Sequence, residues 1–115
     1  MGIQFERDYL LIMLRKLSKI IAYLLGKKGK LSEEEKVYTI NEGLKLLGSS
    51  IEKLRTGSME ELIAEQPRTE FLFLLHELLL SYLEDTPDEL IASQNQILSE
   101  YLKDKKRDCS FLDML

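Results

Sequence analysis

One histidine, His76, and one cysteine, Cys109, stand in a chain of 115 residues. Any chemistry that runs through an imidazole or a thiolate must therefore pass through one of these two positions. His76 lies inside EFLFLLHELLLSYL, Glu70 to Leu83, where ten bulky apolar or aromatic side chains surround it. A catalytic histidine needs a hydroxyl, thiol or carboxylate held within hydrogen-bond reach. No nucleophile or second base recurs at a fixed spacing from this one. Burial among Leu72, Phe73, Leu79, Leu80 and Leu83 favours the neutral ring and lowers its pKa, and a nearby carboxylate does the reverse. The expectation is a structural histidine, neutral, with one ring nitrogen bonded to a carbonyl or hydroxyl.

The remaining chemistry-bearing patterns also resolve into structure. One His and one Cys leave any metal site to carboxylates, and the Glu-x-x-His, His-Glu-x-x-His and Cys-x-x-Cys spacings are absent. Glu33, Glu34 and Glu35 sit where acidic side chains favour the start of a helix. Gly26-Lys27-Lys28-Gly29-Lys30 is rich in glycine and lysine, but it follows a helical pattern and lacks phosphate-loop spacing. It reads as a solvated loop. No cofactor motif is present, and no cofactor is expected.

Charge argues in the same direction. The net charge is −4 and the pI about 5.1, the wrong sign for nucleic-acid binding, and Lys27, Lys28 and Lys30 make only a weak patch. The balance is uneven along the chain. Residues 1–30 carry seven Lys/Arg against Glu6 and Asp8, a local +5, which leaves nine Lys/Arg against eighteen carboxylates, −9, in the rest. A basic first segment on an acidic body suits docking onto the other helices or contact with an anionic surface. A single cysteine forms no internal disulfide, and no signal peptide is legible, so the cytoplasm is the expected compartment. Glu6 stands where a myristoylation signal wants Ser or Thr.

The elements that must position these residues read as helices throughout. Gly26, Gly29, Gly48, Gly57, Pro67 and Pro87 divide the chain into about five. The first spans Phe5 to Leu25. Leu10, Met13, Leu17, Ile20 and Leu24 alternate at three and four residues along about six turns, with Asp8, Arg15, Lys16 and Lys19 away from that stripe. Gly26 is expected to close it in the left-handed conformation. Ser32 with Glu35 forms a capping box ahead of Val37, Ile40, Leu44 and Leu47, and Gly48 stops that helix. A short turn with Ile51 and Leu54 follows, then a second box, Ser58 with Glu61, ahead of Met59, Leu62 and Ile63.

At 100° per residue, Glu70, Glu77, Ser81 and Glu84 fall within about 60° of one another, and nearly everything else in that run is apolar. A membrane span needs about 20 apolar residues, and this run is shorter and is interrupted. It reads as a buried central helix. The last helix is expected to start at Thr86, with Pro87 in first position and Glu89 completing a box. Its expected buried face combines Leu90, Ile97 and Tyr101 with Ile91, Leu98 and Leu102, and Gln94 lies inside it as a local hydrogen-bonding residue. No stretch alternates as a strand does. The fold class is all-α: a single domain over residues 1–115, an antiparallel bundle, with an apolar tail at 108–115.

The segments Asp8-Tyr9-Leu10 through Leu24-Leu25-Gly26, Asn41-Glu42-Gly43-Leu44-Lys45-Leu46-Leu47-Gly48 and Ser58-Met59-Glu60-Glu61-Leu62-Ile63-Ala64 follow one another in order. This succession resembles a family of small bacterial all-helical proteins of unknown function, related in shape to tetratricopeptide-like helical hairpins. The resemblance covers residues 5 to 65 and rests on hydrophobic pattern. It implies helical hairpins and brings no functional residues with it.

The functional expectation is a non-enzymatic interaction module. Beside its main stripe the first helix carries a second set of large residues, Phe5, Tyr9, Ile12 and Tyr23, and the tail adds Phe111, Leu112, Met114 and Leu115. The expected partner is another protein or a second copy, a homodimer being the simplest case. The alternative is a membrane-surface protein whose Leu10–Leu24 stripe enters the interface beneath Arg15, Lys16 and Lys19.

Overall fold

The computed structural model describes residues 2–66 and 68–105, with side chains from residue 8 onward. Six helices occupy it: α1 (Gly2–Gly26), α2 (Glu33–Leu46), α3 (Ile51–Thr56), α4 (Met59–Glu65), α5 (Thr69–Asp85) and α6 (Glu89–Leu102). The sixth, beyond the five expected, is the short turn around Ile51 and Leu54. It closes into a helix because Ser50 caps it, its hydroxyl accepting from the Lys53 amide at 3.2 Å. Among the described residues there is no strand.

The local signals act largely as anticipated. Ser32 and Glu35 exchange both capping-box hydrogen bonds, each 3.1 Å long. Ser58 caps α4 through the Glu61 amide, but the return bond is missing, and the Ser58 hydroxyl donates to Glu60 instead. Gly48 takes a left-handed φ of 77°, and the Ser49 and Gly48 amides return to Leu44 and Lys45 carbonyls. This double closure satisfies carbonyls that a helix end leaves unpaired. In the first connection the left-handed residue is Gly29, with φ 78°, not Gly26, because α1 runs through Gly26 and the turn falls three residues later.

Helix α5 is the centre, packed against α1, α2 and α6. It buries Phe71, Leu72, Leu74, Leu75, Leu78, Leu79 and Tyr82. One contiguous cluster joins these to Leu14, Leu17 and Leu24 of α1, Ile40 and Leu44 of α2, Ile51 and Leu54 of α3, Met59 and Leu62 of α4, and Ile91, Leu98 and Leu102 of α6. Lys36 Nζ, at the start of α2, lies 2.6 Å from Asp85 Oδ2, and Lys28, just past α1, pairs with Glu84 at 3.4 Å. The end of α1, the start of α2 and the end of α5 therefore meet at one pole, which makes α2 antiparallel to both neighbours. The three helices approach closely at Gly43. A Cβ there would lie 3.0 and 3.2 Å from the Leu78 methyls and 3.5 Å from Ile20.

Helix α6 departs from expectation at its start and on its face. Thr86 is the C-cap of α5, and the N-cap of α6 is Asp88, whose side chain accepts from the Ile91 amide. Its buried residues are Ile91, Asn95, Leu98 and Leu102, while Leu90, Ile97 and Tyr101 are exposed. Helices α3 and α4, only six and seven residues long, are too short to cover that outer flank.

Candidate interaction surface

The polar side chains with the most partners lie where the short helices meet α6. Arg55 of α3 reaches across to the loop before α6, with Nε 2.8 Å from Asp88 Oδ2 and a terminal nitrogen 3.0 Å from the Tyr82 hydroxyl. That hydroxyl donates to the same Asp88 oxygen at 2.9 Å, while Oδ1 takes the Ile91 amide at 3.2 Å. Burial alone would raise the Asp88 carboxyl. Arg55, the Ile91 amide and Tyr82 together outweigh it and hold the pKa below the ordinary value. Burial, then Asp88, pushes the Tyr82 phenol up. The acceptors of the cluster are engaged by donors of the bundle itself, so the arrangement locks α3, α5 and α6 together.

Side-chain amides complete this corner. Gln94 Nε2 donates to the carbonyls of Leu54 at 2.6 Å and Gly57 at 2.9 Å, closing the end of α3. Asn41 Oδ1 accepts from the Ile51 amide at its start, and Gln66 Nε2 donates to Leu47 O. Gln94 thus finds a local partner, as the sequence suggests, but the amide inside the seam is its neighbour Asn95. Asn95 is 6% exposed, and its Oδ1 has no hydrogen-bond partner among the described residues. Sequence reasoning missed Arg55, Asp88 and Asn95. The first two are 33 residues apart with no periodic signal joining them.

His76 is half-buried on α5. Desolvation lowers its pKa, and the charge of Glu77 opposes that shift. The expected hydrogen bond to a carbonyl or hydroxyl is not formed among the described residues, and no group of three or more His, Cys, Asp or Glu side chains able to hold a metal ion occurs among them. Cys109, Phe111, Leu112 and the 108–115 tail lie outside the described residues, as does the side chain of Phe5.

The outward face of α1 presents the other expected residues. Tyr9, Ile12 and Tyr23 are 57%, 49% and 46% exposed. With Lys16 and Lys19, both exposed, they occupy positions 9, 12, 16, 19 and 23. This three–four alternation places them on one side of a helix. Arg15 flanks the stripe, and Asp8 is the acidic residue near it. A neighbouring face of α1, roughly 130° around the helix, carries Leu14, Leu17 and Leu24 into the core, so the stripe is a second, separate surface. Arg15, Lys16 and Lys19 have no ion-pair partner among the described residues, whereas Lys28, Lys36, Arg55 and Arg68 each pair with a carboxylate.

Next to it, the outer side of α2 is acidic. Tyr38 is 67% exposed, and the adjacent Glu42 carboxylate pushes its phenol above the ordinary range. Shallow depressions of about 450 and 300 Å³ lie on either side of Tyr38, one bordered by Glu33, Glu34 and Val37, the other by Glu42, Lys45 and Ser49. No helix among the described residues is long and apolar enough to cross a membrane. No protein-family model matches the chain, and searches of curated proteins and of solved structures gave no significant match.

Proposed function

We propose that the protein is a non-enzymatic, cytoplasmic interaction module that docks another polypeptide on the outward face of α1. One observation carries the reading. A helix that has already delivered Leu14, Leu17 and Leu24 to the core still exposes Tyr9, Ile12 and Tyr23 in register with Lys16 and Lys19, which have no ion-pair partner among the described residues. Exposed tyrosines on a helix, with Arg15 at their flank, are side chains that interfaces concentrate, and the lysines beside them set the sign of the charge a partner must carry. Among the described residues His76 has no hydrogen-bond partner, and desolvation and the Glu77 charge are the influences on its ring, which favours this reading over a catalytic one. The membrane alternative draws on the Leu10–Leu24 stripe, of which Leu17 and Leu24 are buried and Leu10, Met13 and Ile20 are partly buried against the core, and this favours the docking reading.

The test is photo-crosslinking in cells of the native organism, with the reactive residue at Ile12 and, as control, at exposed Ser93 of α6. Discrete protein adducts from position 12 and none from position 93 are expected. Absence of adducts at 12, or the same adducts from both, overturns the reading.

A further inference from the structure

We propose that the occupant of the α1 face is a second copy of this chain, each copy laying α1 across the outer side of the other's α2. This deepens the interaction reading and rests on it. Helices α1 and α2 pack together and carry opposite charge on their outward sides. The outward side of α1 carries Arg15, Lys16 and Lys19 against Asp8, and that of α2 carries Glu33, Glu34, Glu35 and Glu42 against Lys45. The first is a net cation of two and the second a net anion of three, and exposed tyrosines stand in both.

The two helices are antiparallel neighbours in one hairpin. A two-fold axis parallel to them sets α1 of each copy antiparallel on α2 of the other, so one operation satisfies both faces and closes the assembly. Pairing α1 with α1 would instead bring like charges together. The lengths agree as well. Tyr9 to Tyr23 spans about 21 Å of helix at ~1.5 Å per residue, matching the fourteen residues of α2. The depressions flanking Tyr38 offer recesses for the large side chains of the α1 stripe. An interface of ordinary size takes about 800 Å² from each partner, close to a tenth of the 7825 Å² surface of this chain.

Light scattering on the purified full chain tests this with a charge swap. The wild type is expected to approach twice the 13.4 kDa chain mass as concentration rises, and to dissociate more readily in high salt. Lys16→Glu/Lys19→Glu, and separately Glu34→Lys/Glu42→Lys, should each weaken dimerisation by at least about tenfold. An equimolar mixture of the two variants should recover the doubled mass, because each then meets opposite charge on both faces. Thermal melts confirm that the variants, altered only at the surface, remain folded. A wild type that stays at 13.4 kDa into the high-micromolar range overturns the proposal. So does a dimer indifferent to both reversals, or a mixture that stays monomeric. A strict monomer that still gives adducts at position 12 removes the second copy as occupant while keeping the docking face. Loss of those adducts removes both.

Discussion

The Tyr82 hydroxyl donates to Asp88 Oδ2 at 2.9 Å across the turn between α5 and α6, and the same carboxylate caps α6 and holds Arg55 of α3. One side chain thus joins three helices. Its loss removes an N-cap worth about 1 kcal/mol in its own right and leaves the Tyr82 hydroxyl without its acceptor. Asp88→Ala is expected to lower stability by at least that amount in urea unfolding. The pH dependence has a definite sign. The folded pKa lies below the ordinary value of 3.8, so the stabilisation is fully present above that value and is lost as pH falls through the folded pKa. Asp88→Asn should flatten this part of the acid limb. An unchanged acid limb would show that Asp88 is not held in this way.

Gln94 is a staple for the end of α3. Replacing it with Leu leaves the Leu54 and Gly57 carbonyls without their donor, at a cost of about 1–3 kcal/mol. Gln94→Glu should cost at least as much, since a carboxylate can only accept where a donor is required. Gln96→Ala, on the exposed side of α6, should change little, because its bond to Glu100 is a surface pair. Equal effects at 94 and 96 in a thermal melt would contradict this assignment.

Asn95 invites the opposite change. A buried amide oxygen without a donor costs about 1–3 kcal/mol, and a leucine, branched at the same carbon though bulkier, has no such requirement. Asn95→Leu should therefore raise the melting temperature. A fall would show that the amide makes a contact that fixes the α5–α6 register.

His76 sets a shallow pH slope near neutrality. Its folded pKa is lowered below 6.5 by desolvation, so the unfolded chain binds the proton more readily in that window. Stability is fully present above pH 6.5 and declines as pH falls through the folded pKa. His76→Gln should remove the slope while leaving the fold intact. A slope that survives the substitution would place its origin elsewhere.

The contrast between these residues shows what could be read from the sequence. Ser32 with Glu35, Gly48, and the polar stripe Glu70–Glu77–Ser81–Glu84 act through neighbours one to four turns away on the same helix, so spacing alone reveals them. Thr86-Pro87-Asp88-Glu89 offers two N-caps. The choice of Asp88 depends on Arg55 and Tyr82, which arrive from α3 and α5. On α6 the apolar pattern is broad, and the packing of α5, α3 and α4 against one side of it puts Ile91 and Leu98 inside while Leu90, Ile97 and Tyr101 stay out. For the same reason Gln94 and Asn95, about 100° apart on the helix, exchange the roles that pattern suggests. The outward set on α1 was legible as an excess of large side chains. The exposed cations, without an ion-pair partner among the described residues, and the acidic face of α2 emerge only when the hairpin closes.

The docking face itself is most directly probed by hydroxyl-radical footprinting of its tyrosines. Tyr9 and Tyr23 are compared with Tyr101 on α6, which is similarly exposed at 41%. Rates are measured in a concentrated native lysate and again in dilute purified protein. Protection of Tyr9 and Tyr23 in the lysate, with Tyr101 modified at the same rate in both, is the expected result. Equal rates at all three tyrosines under both conditions would contradict a docking role for α1.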